Sequence, residues 1–285
     1  MTTMNLEKDD ETVIRECALD AANLPLEVRE VLYDFKTKGN RQGCLLFENL
    51  SVESSKYWLA TYGSLLGEPY SYVQEGNGLL YHDVTPYKAY ERELSSKSSK
   101  MNLDFHTELV FHHFIPDYLL LFCIRGCRDQ EAKTYISSIT HSLSEVSNDL
   151  RRLLEQPLFR TGIDVSFGNT NTIKGNGKVV PILYGDPKNP FLNFDPDMME
   201  PTTEQARQAI HELRALLWKN KSTYVLQPGQ LLIVDNKRAV HGRSSFTAYY
   251  DGQDRFLQRL FITKDLSRAQ EIFSKRERII TYVFN

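Results

Sequence analysis

The sequence predicts a mixed, β-rich fold: a β-sandwich or jelly roll (double-stranded β-helix) core with flanking α-helices. Three observations support this. Many short apolar runs of strand length alternate with turns that contain Gly, Pro and Asn. Fifteen Tyr and fifteen Phe among 285 residues provide the bulky side chains typical of strands. Only a few stretches show helical spacing, and no repeat or interdomain linker interrupts the chain. We therefore expect a single domain over residues 1–285.

The N-terminal segment, residues 1–50, is predicted to contain a short helix over 24–38 and then a buried strand over 43–47. Helical spacing returns over residues 54–67. Further on, the apolar runs at 118–125, 133–138, 231–234 and 256–262 predict strands. Residues 161–200 predict short strands separated by turns.

Two longer helices are expected on the surface. Residues 141–156 are amphipathic and begin with Ser142 followed by Glu145, the spacing of a capping box. Residues 202–219 form the second predicted helix. Between the first strands and these helices, residues 70–100 are polar and rich in turns. Because long polar loops beside a site often act as lids, this stretch is a candidate lid; an ordinary exposed loop fits its composition equally well.

The composition excludes several classes of protein. Apolar residues make up 41% of the chain and charged residues 25%, and the net charge of −3 gives no footprint for nucleic acid. No apolar run reaches membrane-spanning length, and the N-terminus lacks the pattern of a signal peptide, which predicts a cytoplasmic protein. The scattered cysteines are expected to be reduced core thiols rather than zinc ligands: Cys17, Cys44, Cys123 and Cys127.

A candidate metal site centres on His106 and Glu108. Two residues apart on a strand, these side chains would point to the same face. His241, which follows an apolar strand and precedes Gly242, would complete a 2-His-1-carboxylate triad of the type that binds non-haem Fe(II). On the tripeptide alone, a buried histidine hydrogen-bonded within a strand is an equally good interpretation.

Two arginines follow His241. Arg255 and Arg259 would share a face of an extended strand, and guanidinium groups are suited to bidentate recognition of carboxylates. The pair therefore predicts a cavity that holds two carboxylates, although two surface arginines in ion pairs would be the usual interpretation.

Taken together, these motifs resemble the Fe(II)/2-oxoglutarate-dependent oxygenases of the clavaminate synthase-like group, and within it the hydroxylases of free L-arginine, L-lysine and L-asparagine. The likeness spans about residues 70–265. The matching stretches are FHTE at 105–108, PDYLLL at 116–121, QPGQLLIVDN at 227–236, RAVHGR at 238–243, YDG at 250–252 and DRFLQR at 254–259.

The resemblance implies a role for each matched residue. His106, Glu108 and His241 would bind Fe(II), and O2 would be the oxidant. Arg255 and the Thr134 hydroxyl would hold the co-substrate 2-oxoglutarate. Arg259 would bind the carboxylate of the amino-acid substrate, while Gln74 and Glu108 would lie near its α-amino group. Related halogenases have no carboxylate at the position of Glu108, so the resemblance implies a hydroxylase.

Asp195 and Asp197 are the candidates for binding the side chain of the substrate. Paired carboxylates suit a cationic partner, and the arginine-specific members are similar in this loop. The alternative is that the two acids belong to a turn before the helix predicted from residue 202. Because Pro196 lies between the acids, the choice between arginine and lysine as the substrate stays open. We therefore expect hydroxylation of C3 or C4 of a free basic L-amino acid, with arginine favoured. The other five histidines are expected to be structural or exposed: His82, His112, His113, His141 and His211.

Three rival interpretations remain at this stage. One is the same chemistry on a carrier-tethered amino acid, or on another small acid such as a sulfonate. A zinc hydrolase is disfavoured because the chain has no His-Glu-x-x-His helix. A non-catalytic, cupin-like metal-binding protein would have no need of Arg255.

Overall fold

The computed structural model describes residues 10–164, 167, 174–273 and 277–283. Residues 1–9, part of the predicted N-terminal segment, lie outside the described residues. So do 165–166 and 168–173, which belong to the predicted stretch of short strands. The α-helices of the described chain are α1 (Asp10–Asp20), α2 (Leu26–Lys38), α3 (Ser55–Leu66), α4 (Ile139–Ser142), α5 (Asn148–Leu154), α6 (Glu204–Lys219) and α7 (Ser267–Phe273).

The described strands are shorter than the helices on average, and only two of them reach eight residues. They are β1 (Cys44–Phe47), β2 (Glu68–Tyr72), β3 (His82–Val84), β4 (Leu103–His106), β5 (Tyr118–Arg125), β6 (Thr134–Ser138), β7 (Phe159–Arg160), β8 (Val179–Val180), β9 (Leu183–Tyr184), β10 (Phe191–Leu192), β11 (Glu200–Pro201), β12 (Ser222–Tyr224), β13 (Leu231–Asp235), β14 (Ala239–Arg243), β15 (Phe256–Thr263) and β16 (Ile279–Ile280).

Two antiparallel sheets form the centre of the fold. The major sheet has seven strands in the order β1-β13-β5-β15-β2-β16, and β3 also pairs with β15. The minor sheet has four strands in the order β12-β6-β14-β4. Among the described strands, β16 alone runs parallel to its neighbour, which is β2. Two smaller sheets, β10-β9 and β11-β7-β8, lie along the stretch that precedes α6.

The core residues define four packed layers. Between the two sheets lies one cluster, which contains Leu121 and Val234 of the major sheet and Ile136 of the minor sheet. The opposite face of the major sheet packs against α1, α2 and α3. The outer face of the minor sheet, through Phe105 and Val240, packs against α5 and α6. Because β5 is buried on both faces, its sequence is continuously apolar rather than alternating.

Most of the predicted long elements are confirmed, with boundaries that shift by one or two residues. The helix predicted over 141–156 is wrong. The structure has two short helices there, because Ser138 caps α4 and Ser147 separately caps α5 by accepting a hydrogen bond from the Leu150 N–H. Ser142 and Glu145, the predicted capping box, make no such cap. Helices α1 and α7 were not predicted.

The strand prediction at the metal motif is also wrong in part. Strand β4 ends at His106, and Leu109 has a φ of 56°, outside the extended region. Glu108 therefore does not reach the site by strand alternation. The candidate lid, residues 70–100, contains β3 and several turns. In the part of the chain that the structure describes, no helix is long and apolar enough to cross a membrane.

Candidate active site

The metal-binding candidates converge on the space between the two sheets. His106 in β4 and His241 in β14 are direct register partners. Their sequence neighbours, Phe105 and Val240, pack outward against the helices, so the two imidazoles point inward. Their ring centroids lie 4.2 Å apart. Gly242 lets β14 approach β4 closely, because a Cβ at this position would lie 2.8 Å from the Leu103 carbonyl oxygen.

Glu108 completes the cluster. Its Oε2 lies 3.2 Å from His241 Nε2 and 4.0 Å from His106 Nε2. One ligand atom from each of the three residues can be chosen so that all lie within 4.8 Å of one another. Nδ1 of His106 donates to the Asp104 carbonyl oxygen at 2.9 Å, which leaves the Nε2 lone pair facing the cluster.

Asn236 holds the Glu108 backbone in place after β4 has ended. Its Oδ1 accepts a hydrogen bond from the Glu108 N–H at 2.8 Å, and its Nδ2 donates to the Glu108 carbonyl at 3.2 Å. Nδ2 also donates to the Pro116 carbonyl at 3.0 Å. The side chain is fully buried. It thus replaces the strand partner that Glu108 lacks.

The electrostatics keep Glu108 and His241 in metal-binding form. Burial alone would raise the pKa of Glu108, but Arg259, His241 and His106 outweigh it and hold that pKa well below its usual range. Burial, with the nearby His106, lowers the pKa of His241 to about 4. An ionised carboxylate and a neutral imidazole are the forms that coordinate a cation.

This donor set fits Fe(II). Two imidazole nitrogens and one carboxylate oxygen are the donors of the facial triad that leaves coordination positions open for other ligands. The set also differs from the thiolate sets that favour structural zinc, because it contains no cysteine.

A second feature of the interior is a buried cation, Arg255. Arg255 is only 7% exposed, and its guanidinium makes no hydrogen bond or ion pair with the described residues. Burial lowers its pKa to about 10. The Thr134 hydroxyl, on the inner face of β6, is also buried without a hydrogen-bond partner in the described chain. These unsatisfied donors fit a carboxylate of 2-oxoglutarate.

Arg255 and Arg259 lie near the start of β15, and both are buried. Arg255 directly precedes β15, and Arg259 is the fourth residue of the strand. The β15–β5 register shifts between Phe256 and Leu257, where the extra residue, Ile124, lies on β5. That the two arginines share one strand face stays a prediction.

Arg259 is the centre of a network of hydrogen bonds. Its Nη1 donates to Glu108 Oε1 at 3.1 Å, and its Nη2 donates to Glu75 and, at 3.0 Å, to His82 Nδ1. The guanidinium carbon lies 4.6 Å from the centre of the Phe261 ring. The guanidinium therefore touches a metal-ligand candidate on one side and two further polar residues on the other.

The remaining predicted residues are distributed around this network. The half-buried Gln74 donates from Nε2 to the Phe167 carbonyl at 2.6 Å, and it is its neighbour Glu75 that contacts Arg259. Asp195 is half-buried and accepts a hydrogen bond from the Met198 N–H at 3.1 Å, whereas Asp197 is exposed. Burial raises the pKa of Asp195 to about 7, an effect that His106 opposes and Asp197 reinforces.

Sequence reasoning missed three residues of the site. Asn236 lay within a matched stretch, but nothing local indicated its contact with a residue 128 positions away. Glu75 was passed over for the adjacent Gln74. His82 was assigned to a polar loop, whereas it lies buried in β3, directly opposite Arg259 in β15. The strand alternation around His82 was the one signal that pointed to it.

The fold and the site together define an iron- and 2-oxoglutarate-dependent dioxygenase. The chain belongs to the taurine catabolism dioxygenase TauD, TfdA family, whose model matches residues 27–261. This confirms the resemblance to the clavaminate synthase-like oxygenases.

Relatives within this group act on different amino acids. The chain is 30% identical to an L-lysine 3-hydroxylase of Catenulispora acidiphila, over 95% of this chain and 81% of that protein. The structure is similar to asparagine oxygenase solved with Fe(II), 3-hydroxyasparagine and succinate, with 27% identity, a TM-score of 0.84 and coverage of 97% and 98%. It is equally similar to the non-haem iron oxygenase OrfP solved with Fe, succinate and (3S)-hydroxy-L-Arg, with 28% identity, a TM-score of 0.84 and coverage of 95% and 91%.

Proposed function

We propose that this protein hydroxylates C3 or C4 of a free basic L-amino acid, with L-arginine favoured over L-lysine. The observation that carries the proposal is the pair of opposite charges flanking the metal-ligand cluster. Arg259 contacts Glu108. The half-buried Asp195 lies close enough to His106 for the charge of His106 to lower the pKa of Asp195. An amino acid with a cationic side chain has complementary charges at its two ends.

His106, Glu108 and His241 are the residues that would hold Fe(II). When bound, Fe(II) with 2-oxoglutarate and O2 supplies the oxidation of an unactivated C–H bond, with succinate and CO2 as co-products. Arg255 would pair with the distal carboxylate of 2-oxoglutarate, and the Thr134 hydroxyl would donate to the same molecule. Burial of both groups makes these interactions strong because water does not compete for them.

The substrate would be held at both ends. Arg259 would take its carboxylate, and Glu108 and Gln74 would lie near its ammonium group. Asp195 and Asp197 would pair with its side-chain cation. Fixing both ends decides which carbon faces the metal, since orientation of the reacting atoms is a large part of the rate. Asp195 would act as a carboxylate only when ionised, and a substrate cation favours that form.

Several broader features belong to the same proposal. The two antiparallel sheets, with the site between them, suit a double-stranded β-helix core in a single domain over residues 1–285. Residues 70–100 are a candidate lid, and Arg243 anchors the end of this stretch by donating hydrogen bonds to Ser98 and to the Met101 carbonyl. A reducing, cytoplasmic location is supported by four cysteines of which none is paired with another.

The alternatives differ in the substrate. A carrier-tethered amino acid has no free carboxylate, and a sulfonate has no cationic side chain. A carrier-tethered substrate would leave the buried Arg259 without a matching carboxylate. A sulfonate would leave Asp195 and Asp197 without a matching cation. The non-catalytic alternative is disfavoured by the family to which the chain belongs.

A substrate panel tests the proposal. The protein is reconstituted anaerobically with Fe(II) and 2-oxoglutarate, and succinate release in air is measured with free L-amino acids. We expect L-arginine to stimulate release most and L-citrulline, its uncharged isostere, to stimulate it weakly. L-argininamide, which lacks the free carboxylate, serves as the control for recognition of the substrate carboxylate by Arg259. Strong stimulation by L-asparagine or by a sulfonate, and none by arginine or lysine, would contradict the proposal.

A further inference from the structure

We propose that His82 is a positioning residue for substrate recognition: a neutral hydrogen-bond acceptor that fixes the orientation of the Arg259 guanidinium. The inference rests on the proposed function, in which Arg259 binds the substrate carboxylate. It begins from the pairing of β3 with β15, where His82 lies directly opposite Arg259. Both residues are buried, with 5% and 6% of their surface exposed.

The hydrogen bonds around the imidazole determine where its proton lies. Nε2 lies 2.8 Å from the Leu79 carbonyl oxygen and 2.7 Å from Ser71 Oγ. A carbonyl oxygen can only accept, so Nε2 carries the hydrogen. Nδ1 then bears a lone pair and accepts from Arg259 Nη2 at 3.0 Å. A protonated imidazole would instead turn a donor toward a guanidinium. Burial and the charge of Arg259 also hold the pKa of His82 at about 3.

The surrounding chain is shaped to keep the ring in this position. A Cβ at Gly76 would lie 2.6 Å from His82 Cδ2, and Gly76 has a φ of 57°, which favours glycine. The Phe261 ring packs edge-on against the imidazole at 5.2 Å, and the same ring lies beneath the Arg259 guanidinium. His82 thus restricts the edge of the Arg259 guanidinium, and Phe261 restricts its face.

This arrangement has a functional consequence. His82 is held at Nε2 by the Leu79 carbonyl oxygen and Ser71 Oγ, and its ring packs against Phe261. His82 therefore provides a fixed, neutral acceptor beside the two carboxylates that also receive hydrogen bonds from Arg259. A guanidinium held in a defined plane presents its remaining N–H groups to a substrate carboxylate without first losing conformational freedom.

Two substitutions separate the acceptor from the bulk of the ring. His82→Asn keeps an acceptor near the position of Nδ1, while His82→Leu removes it at similar volume. Because of the free energy that a hydrogen bond to a charged group contributes, His82→Leu should raise KM for the amino-acid substrate on the order of ten- to a hundredfold. His82→Asn should stay within about threefold of the wild type. His211→Leu, an exposed substitution on α6, is the matched control and should change nothing.

The decisive readout compares the best amino acid with its carboxamide. The wild type should discriminate strongly between them, and His82→Leu should lose most of that discrimination while KM for 2-oxoglutarate stays unchanged. Gly76→Ala, which displaces the ring without altering its chemistry, should have the same selective effect. Equal losses on the acid and the amide, or a raised KM for 2-oxoglutarate, would overturn the inference.

A spectroscopic measurement tests the inference even without a substrate. In the metal-free protein labelled with [15N]histidine, the His82 signals, assigned by comparison with His82→Asn, should show a proton on Nε2 and none on Nδ1 from pH 5 to pH 9. A proton on Nδ1 would overturn the proposed role. Failure of the proposed function is a separate result, namely wild-type turnover that no free amino acid stimulates.

Discussion

Removing the Asn236 side chain should weaken metal binding far more than a change of equal size elsewhere. Asn236→Ala leaves the Glu108 N–H, the Glu108 carbonyl and the Pro116 carbonyl without their partner. At about 1 kcal/mol for each hydrogen bond, the free energy of unfolding of the metal-free protein should fall by about 3 kcal/mol. The loss arises in a fully buried place, where water does not replace the amide.

Metal affinity should fall in addition. Because β4 ends at His106, Asn236 is the group that places the Glu108 backbone, and with it one of three ligands. Loss of groups that orient metal ligands costs about ten- to a hundredfold in affinity. Calorimetric titration of the metal-free protein with Mn(II), under conditions where both variants are folded, measures this directly.

Asn220→Ala is the matched control. Asn220 follows α6 and donates from Nδ2 to Ser142 Oγ at 3.2 Å and to Glu145 Oε1 at 2.8 Å, so its amide also joins two segments. We expect a smaller loss of stability, since the Glu145 contact is exposed, and an unchanged affinity for Mn(II). If Asn236→Ala lost stability but bound Mn(II) as tightly as the wild type, the idea that Asn236 positions Glu108 would be refuted.

Three further predictions concern buried charge, titration and helix capping. Arg255→Met should raise KM for 2-oxoglutarate on the order of a hundredfold, and thermal unfolding should show that the ligand-free protein is no less stable, because a buried cation with no partner among the described residues is removed. The pKa of Asp195 is raised from 3.8 to about 7, so the wild type loses stability as the pH rises between these values. Denaturant unfolding of the metal-free protein should therefore find Asp195→Asn more stable than the wild type at pH 8, with no such advantage below pH 4; the opposite trend would refute the burial argument. Thr203→Ala removes the acceptor of the Ala206 N–H at the start of α6 and should cost about 1 kcal/mol of stability, with KM for 2-oxoglutarate unchanged.

The elements that could be predicted from the sequence are those whose signal is local. Helix α6 has apolar residues at helical spacing and a threonine at its N-cap, and β5 is an uninterrupted apolar run. Helices α4 and α5 were predicted as one because their apolar spacing continues across Ser147, whose side-chain cap begins a new helix. The spacing of apolar residues gives no sign of such a break.

The clustering of the three candidate metal ligands could be predicted for a reason that was partly wrong. His106 faces inward from a strand, as expected, and His241 lies opposite it in β14. Glu108 joins them through Asn236, a contact between side chain and backbone across 128 positions. His82 and Glu75 reach Arg259 in the same non-local way. Such contacts depend on the assembled sheets and leave no periodic trace in the sequence.

Oxygen-isotope incorporation tests the central claim most directly. The protein loaded with Fe(II) and 2-oxoglutarate is exposed to 18O2 in the presence of L-arginine or L-lysine, and both the product and succinate are quantified by mass spectrometry. The account predicts a hydroxylated amino acid that carries one 18O atom, formed in equal amount to succinate. Succinate formed without any labelled amino acid, at the same rate with and without substrate, would contradict it.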